Sequence, residues 1–233
     1  VNTHGSRETV PAAASIDLDS LARRAIALIP ADGRVIVGIT GSPGAGKTTL
    51  ATALARRVNE IFGASDDAAA VHLPMDGFHL ATATLDRLGI RDRKGAIDTF
   101  DGWGFLAMVR RLRDETTHTV YAPGFDRAVD EGIAGEIAVP ASTRLVVTEG
   151  NYLLAGAEPW SRVAGLLAEC WFCDTPDEER LRRLVDRHSR HGRSAQAARE
   201  WATSVDGRNA LLVEATRVRA DLVVSGVAAG VRV

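Results

Sequence analysis

Residues 41–48 read Gly-Ser-Pro-Gly-Ala-Gly-Lys-Thr, a complete match to the pattern GxxxxGK[ST]. No other stretch restricts the chain as strongly. The glycines allow backbone conformations that turn successive N–H groups inward. Together with the start of a following helix, those groups make a cradle for phosphates. The context agrees: the β-branched run VIVGIT precedes the loop, and the helix-favouring stretch TLATALARRVNE follows it. Gly41, Ser42, Pro43, Gly44, Ala45, Gly46, Lys47, Thr48 and Thr49 are therefore the expected nucleotide contacts. Lys47 is placed to reach the β- and γ-phosphates and Thr48 to ligate Mg²⁺, so ATP and Mg²⁺ are the expected cofactors.

The rest of the chain alternates strand-like and helix-like segments. Leu18, Leu21, Ala25 and Leu28 recur at helical spacing and stop at Pro30. Short apolar runs at 70–73, 145–148, 171–173 and 222–225 read as strands, and residues 102–113 read as a helix. Residues 121–140, rich in Gly and Pro, suggest a hairpin or ordered loop. Thr175-Pro176-Asp177-Glu178 has the form of a helix start, with Thr175 as N-cap and Glu178 closing a capping box. Such alternation predicts an α/β fold, a parallel sheet with helices on both faces. Ligands bind beyond the carboxyl ends of the strands in such sheets. Gly41, Asp76, Glu149 and Asp174 all follow predicted strands, so they should share one sheet edge.

A chain of 233 residues with 45% hydrophobic and 25% charged content suits one globular domain. The reading is a domain over 16–233 preceded by a flexible arm at 1–15. The formal net charge of −2 gives no reason to expect a nucleic-acid or membrane partner. Cys170 and Cys173 form a CxxC, but residues three apart on a strand point to opposite faces, so these thiols should be buried core residues rather than a metal site. Two cysteines and no apolar run of membrane-spanning length suit a cytoplasmic protein. A homodimer is left open.

A phosphate loop defines a site, not a reaction. A small-molecule kinase, a GTPase switch and an ATP-driven transport subunit all compete, along with a non-catalytic or regulatory nucleotide-binding module. Lys47 and Lys94 are the only lysines, so an NKxD guanine motif is absent, and no LSGGQ-like signature occurs. A kinase needs a group to take or orient the proton of the attacking hydroxyl, and Asp76 is placed for it. Glu149, ending LVVTE, fits an acid that binds Mg²⁺ directly or through water. Six arginines lie between Arg180 and Arg193 with Asp186 the one acid among them. Arg180, Arg183, Arg187 and Arg190 fall on one helix face. Without acids for i,i+4 pairing, they read as a helical lid, about 180–200, that surrounds developing phosphoryl charge. His188 and His191 read as lid or surface residues.

The ordered set GSPGAGKT, MDGFH, KGAIDTFD, YAPGFDR, VTEGNYLL and DTPDEERLRRLVDRH resembles the phosphoribulokinase/uridine kinase family, with its pantothenate kinase relatives, over roughly residues 30–225. The resemblance implies a P-loop NTPase three-layer sandwich with a mostly five-stranded parallel sheet and a helical lid. It implies transfer of the ATP γ-phosphoryl group to a hydroxyl of a small metabolite of nucleoside, sugar or pantothenate size. Asp76 and Lys47, with lid arginines Arg183 and Arg187, are then the expected catalytic residues. Tyr121, Phe125, Asp126 and Arg127 match an acceptor-lining segment, and Phe78 and His79, just beyond Asp76, join them as expected acceptor contacts.

Overall fold

The computed structural model describes residues 17–63 and 68–226. The expected arm at 1–15 lies outside the described residues. Five parallel strands, β1 (Val35–Thr40), β2 (Ala70–Pro74), β5 (Leu145–Glu149), β6 (Glu169–Asp174) and β7 (Leu222–Ser225), lie in the order β2-β5-β1-β6-β7. The side chains of β1 alternate between two separate cores, as the two-residue period of a strand requires. Val35, Val37 and Ile39 pack with helices α1 (Leu18–Ala27) and α2 (Lys47–Phe62) on one face. Ile36 faces the other core, which is built from α4 (Gly102–Asp114), Tyr152–Ala155 and Trp160 of the short α5 (Trp160–Ala164). The result is a three-layer sandwich.

Cys170 belongs to one core and Cys173 to the other. Both are free, and burial pushes the Cys173 thiol up to about 11, so it stays protonated and inert near neutral pH.

The hairpin expected at 121–140 forms as β3 (Val120–Asp126) paired antiparallel with β4 (Glu131–Val139), in a separate two-stranded sheet. It closes over a single turn of 3₁₀ helix, Met75–Phe78, that follows β2. Gly77 is required there: a Cβ would overlap the Pro123 carbonyl oxygen. The hairpin backbone therefore lies directly on the residue after Asp76.

The arginine-rich segment forms α6 (Asp177–Arg190), followed by α7 (Ala195–Trp201), a π-turn at Ala202–Asp206 and α8 (Gly207–Glu214). Its start differs from the expected capping box. Pro176 is the N-cap residue, and no side chain caps the helix. Thr175 instead donates its hydroxyl to Ala45 O at 2.9 Å. That bond ties the residue after β6 to the phosphate loop.

Among the described residues, no helix is long and apolar enough to cross a membrane.

Candidate functional site

The loop between β1 and α2 is held in an unusual shape by glycine. Gly41, Gly44 and Gly46 all have positive φ, with Gly46, at 96°, as the N-cap residue just before α2. At Gly46 a side chain would be strained, and the open backbone is what aims the following N–H groups at a ligand. Lys47 curls back so that Nζ donates to Ser42 O at 3.1 Å. Burial lowers the Lys47 pKa from the ordinary lysine value, and the Glu149 carboxylate opposes that shift. Such a cation, already desolvated and held in place, is suited to a phosphate anion.

Thr48 donates to Glu149 Oε1 at 2.9 Å. Burial raises the Glu149 pKa, but His72, Lys47 and Thr48 outweigh it and hold the carboxyl below its ordinary value. Glu149 is therefore a buried carboxylate. His72 Nε2 stands 3.7 Å from the same Oε1 and has no hydrogen-bond partner. That separation is too long for a hydrogen bond, so it supports the carboxylate through space. A hydroxyl and an ionised carboxylate side by side at the mouth of a phosphate cradle fit a divalent cation that takes one or two protein oxygens and fills its remaining positions with phosphate and water. Among the described residues, no group of three or more His, Cys, Asp or Glu forms an all-protein metal cage.

One cleft of about 760 Å³ joins these groups to the rest of the site. Pro43, Gly44, Lys47, Thr48 and Glu149 line its phosphate end, and Asp76, His79, Phe125 and Arg127 line the opposite wall. Arg127 approaches Asp76 Oδ2 at 3.4 Å, a long and weak contact. His79 donates from Nδ1 to Asp76 O at 2.8 Å and packs against Phe100 and Phe125, with ring centroids 4.0 and 4.9 Å away. These contacts fix the turn that carries Asp76.

Three expected acceptor contacts are not brought to the cleft. Phe78 is buried in the core against Phe105. Tyr121 is 59% exposed and does not line the cleft. Asp126 accepts a hydrogen bond from Ala128 N at 2.7 Å, which shapes the hairpin turn. A register shift between Ala122 and Gly124 separates the face of Tyr121 from that of Phe125.

The arginine helix also differs from the unpaired stripe. Its acids lie in the first turn, ahead of the arginines: Arg180 pairs with Asp177, and Arg182 and Arg183 both pair with Glu179. Arg190 pairs with Asp186. Arg180 and Arg183 also reach the carbonyls of Pro43 and Gly44, at 3.2 and 3.5 Å. They hold the helix against the phosphate loop, and Arg183 does not line the cleft. Among the described residues, Arg187 and Arg193 have no carboxylate partner, and both line the cleft.

Several contacts of cleft residues escaped the sequence reading, which places His188 only as a lid or surface residue. His188 Nε2 sits 2.7 Å from Asp206 Oδ2, 18 residues away in the π-turn. Lys94 Nζ donates to Thr82 Oγ1 at 3.2 Å, to Asp130 Oδ2 at 2.9 Å and to the Asp130 carbonyl oxygen. Its rarity was a signal, since Lys94 is one of only two lysines. The Gly95 carbonyl accepts from Tyr152 at 2.7 Å and from Asn209 at 3.1 Å.

No protein-family model matches the chain. It is 35% identical to a putative uridine kinase of Schizosaccharomyces pombe over 88% of both chains. It is 31% identical to the uncharacterized protein YggC of Escherichia coli K12, covering 82% of this chain and 77% of that one. Among solved structures it is similar to a putative fructose transport system kinase from Silicibacter sp. TM1040, with a TM-score of 0.80, 35% identity, and coverage of 88% of this chain and 98% of that one. A P-loop kinase-like protein of Saccharomyces cerevisiae, YFH7, shares the fold with a TM-score of 0.78 at 20% identity over 90% of this chain and 98% of that one.

Proposed function

Since the chain belongs to the phosphoribulokinase/uridine kinase family of P-loop kinases, we propose that it transfers the γ-phosphoryl group of ATP to a hydroxyl of a small metabolite. The observation that carries this reading is the single cleft that holds both the phosphate cradle and Asp76. Asp76 and Arg187, which has no carboxylate partner among the described residues, line that same cleft, as phosphoryl transfer requires and nucleotide binding alone does not.

The residues divide the work as follows. The backbone N–H groups of the loop and the start of α2 hold the phosphate chain, and Lys47 neutralises its β- and γ-oxygens. Thr48 and Glu149 would hold Mg²⁺, which when bound screens phosphate charge and fixes phosphate geometry. Asp76 receives or orients the proton of the acceptor hydroxyl. The charge that develops on the transferring group is met by Arg187, which has no carboxylate partner among the described residues. The Asp76–Arg127 contact, at 3.4 Å, is loose enough for an acceptor hydroxyl to take Arg127's place. Phe125 and the edge of His79 supply apolar walls beside these polar groups, as small-molecule sites do.

The test is a screen of nucleosides, sugars, sugar phosphates and pantothenate with the purified chain and Mg·ATP, scored by ADP release above the no-acceptor rate. A hit that Asp76→Asn abolishes supports the reading. Mg·ATP binding without acceptor-dependent ADP release across the screen would favour the regulatory module instead.

A further inference from the structure

The cleft contains more positive charge than its phosphate end needs. Lys47 and Arg187 face the nucleotide phosphates in the proposed reaction. Lys94 uses its three N–H donors on Thr82 and Asp130, and Arg190 pairs with Asp186. His188 is matched by Asp206. Two guanidiniums remain. Arg193 has no carboxylate partner among the described residues, and Arg127 loses its weak one when Asp76 turns to an acceptor hydroxyl.

Both line the cleft. Helix α6 begins on the phosphate loop, where Arg180 and Arg183 reach Pro43 and Gly44. At ~1.5 Å per residue, Arg190 is about 10 Å further along the axis than Arg183, and Arg193 sits at that far end, its N–H returned to His188 O at 3.2 Å after the turn at Gly192. Helix α8 is tied to the Lys94–Gly95 loop through Asn209, which puts the α7–α8 segment beside the hairpin wall. Trp201, at the end of α7, lines the cleft there. The Arg193 guanidinium lies 3.8 Å from the Trp201 ring centroid. Stacking fixes the plane of a guanidinium while leaving its N–H edge free, which prepares it to bind an oxyanion with little further ordering.

We propose that Arg193, seated on Trp201, and Arg127 form a pincer for an anionic group of the acceptor, so that the acceptor is a hydroxyl compound already bearing a phosphate or a carboxylate. This rests on the kinase reading and narrows it: neutral nucleosides and free sugars become poor substrates. Arg193 and Trp201 are then specificity residues on the lid, and acceptor binding would draw the lid toward the hairpin.

The experiment uses the full chain loaded with Mg²⁺ and a non-hydrolysable ATP analogue, so that the γ-phosphate position is filled. Inorganic phosphate is titrated in one calorimetric arm and acetate in another. Saturable binding of either is expected, the preferred ion identifying the acceptor's anionic group. Arg193→Gln should weaken it by about tenfold or more, and Trp201→Leu by less, with analogue affinity unchanged. No saturable uptake of either ion, or equal uptake by Arg193→Gln, overturns the pincer. A turnover arm pairs ribose with ribose 5-phosphate, glycerol with glycerol 3-phosphate, and glycerol with glycerate. Better turnover of the neutral members overturns the pincer and leaves the kinase reading intact. Failure of the analogue itself to bind overturns the kinase reading.

Discussion

The Thr48 hydroxyl donates to Glu149 Oε1 across 2.9 Å, joining the first turn of α2 to the last residue of β5. The two come from separate elements, and β1 lies between β5 and β6 in the sheet, so the contact forms only once the parallel sheet is assembled. It sets an oxygen pair at the point where the phosphate cradle opens. Glu149→Gln keeps the shape and removes the charge. The expected outcome is a Mg²⁺ half-saturation raised about 10–100-fold at fixed ATP, as for loss of a metal-orienting group. A Mg²⁺ titration of ADP release checks it, and an unchanged midpoint would remove Glu149 from the metal's surroundings.

Lys47 is the one lysine of the phosphate loop, and the other lysine, Lys94, is engaged at the hairpin. Lys47→Ala should therefore abolish measurable ATP binding and lower turnover by at least about 10²–10³-fold, the scale for losing one pre-placed charge donor. Calorimetry with Mg·ATP is the direct check. Unchanged affinity would separate this loop from the nucleotide.

Asp76→Asn removes a proton acceptor while keeping a hydrogen-bonding group of the same size. ATP affinity should hold, and kcat should fall by roughly 10²–10⁴ with the true acceptor. The split between an intact ATP KM and a collapsed kcat is what identifies the residue. Normal turnover would reduce Asp76 to a turn residue that anchors His79.

How much of this was readable in the sequence depends on how local each feature is. The loop glycines, Lys47 and Thr48 are consecutive, and their geometry follows from the backbone. The strands announced themselves as short apolar runs, that at 35–40 β-branched, and Glu149 and Asp76 were found because sheet edges place ligands. The acceptor wall was harder. Phe78 and His79 are neighbours, yet the 3₁₀ turn sends Phe78 into the core and His79 into the cleft. On β3, the register shift after Ala122 breaks the simple alternation that would place Tyr121 with Phe125. The lid arginines looked unpaired because the acids of Arg180, Arg182 and Arg183, namely Asp177 and Glu179, stand at the start of the helix rather than within the run, and only Asp186, paired with Arg190, lies inside it. The pair His188–Asp206 joins a helix to a π-turn, and nothing in either segment alone points to the other.

His79 provides a pH test. Burial holds its pKa below the ordinary 6.5, despite the nearby Asp76 charge. Above that value the ring is neutral both folded and unfolded, and contributes no pH dependence. Below it, the unfolded chain takes up a proton that the folded chain refuses. Stability should then fall as pH falls, by at most about 1.4 kcal/mol per pH unit, until the lower folded pKa is reached. Urea unfolding of the wild type and of His79→Gln between about pH 7.5 and about pH 5 compares the slopes, and the variant should lack this part of the decline. Identical slopes would mean that the ring titrates alike in both states.

Lys94 clasps the hairpin. Its side chain is only 11% exposed, and its ammonium spends its donors on Thr82, at the start of α3 (Thr82–Leu88), and on Asp130, in the turn between β3 and β4. Asp130 has φ 57°, so the clasp grips a residue in an uncommon backbone state. The same ammonium lies 5.7 Å from the Phe125 ring centroid. Lys94→Met keeps the aliphatic length and removes the donors. The hairpin tip should then loosen, and with it Phe125 and Arg127, while the phosphate loop on the far side of the cleft is untouched. Acceptor KM should rise by about tenfold or more with ATP KM unchanged, the signature of lost acceptor binding alone. Hydrogen exchange supplies the structural check: amides of residues 124–133 should exchange faster in the variant, and those of α2 should not. If the ATP KM rises instead, Lys94 acts on the nucleotide and its bonds to the hairpin are incidental.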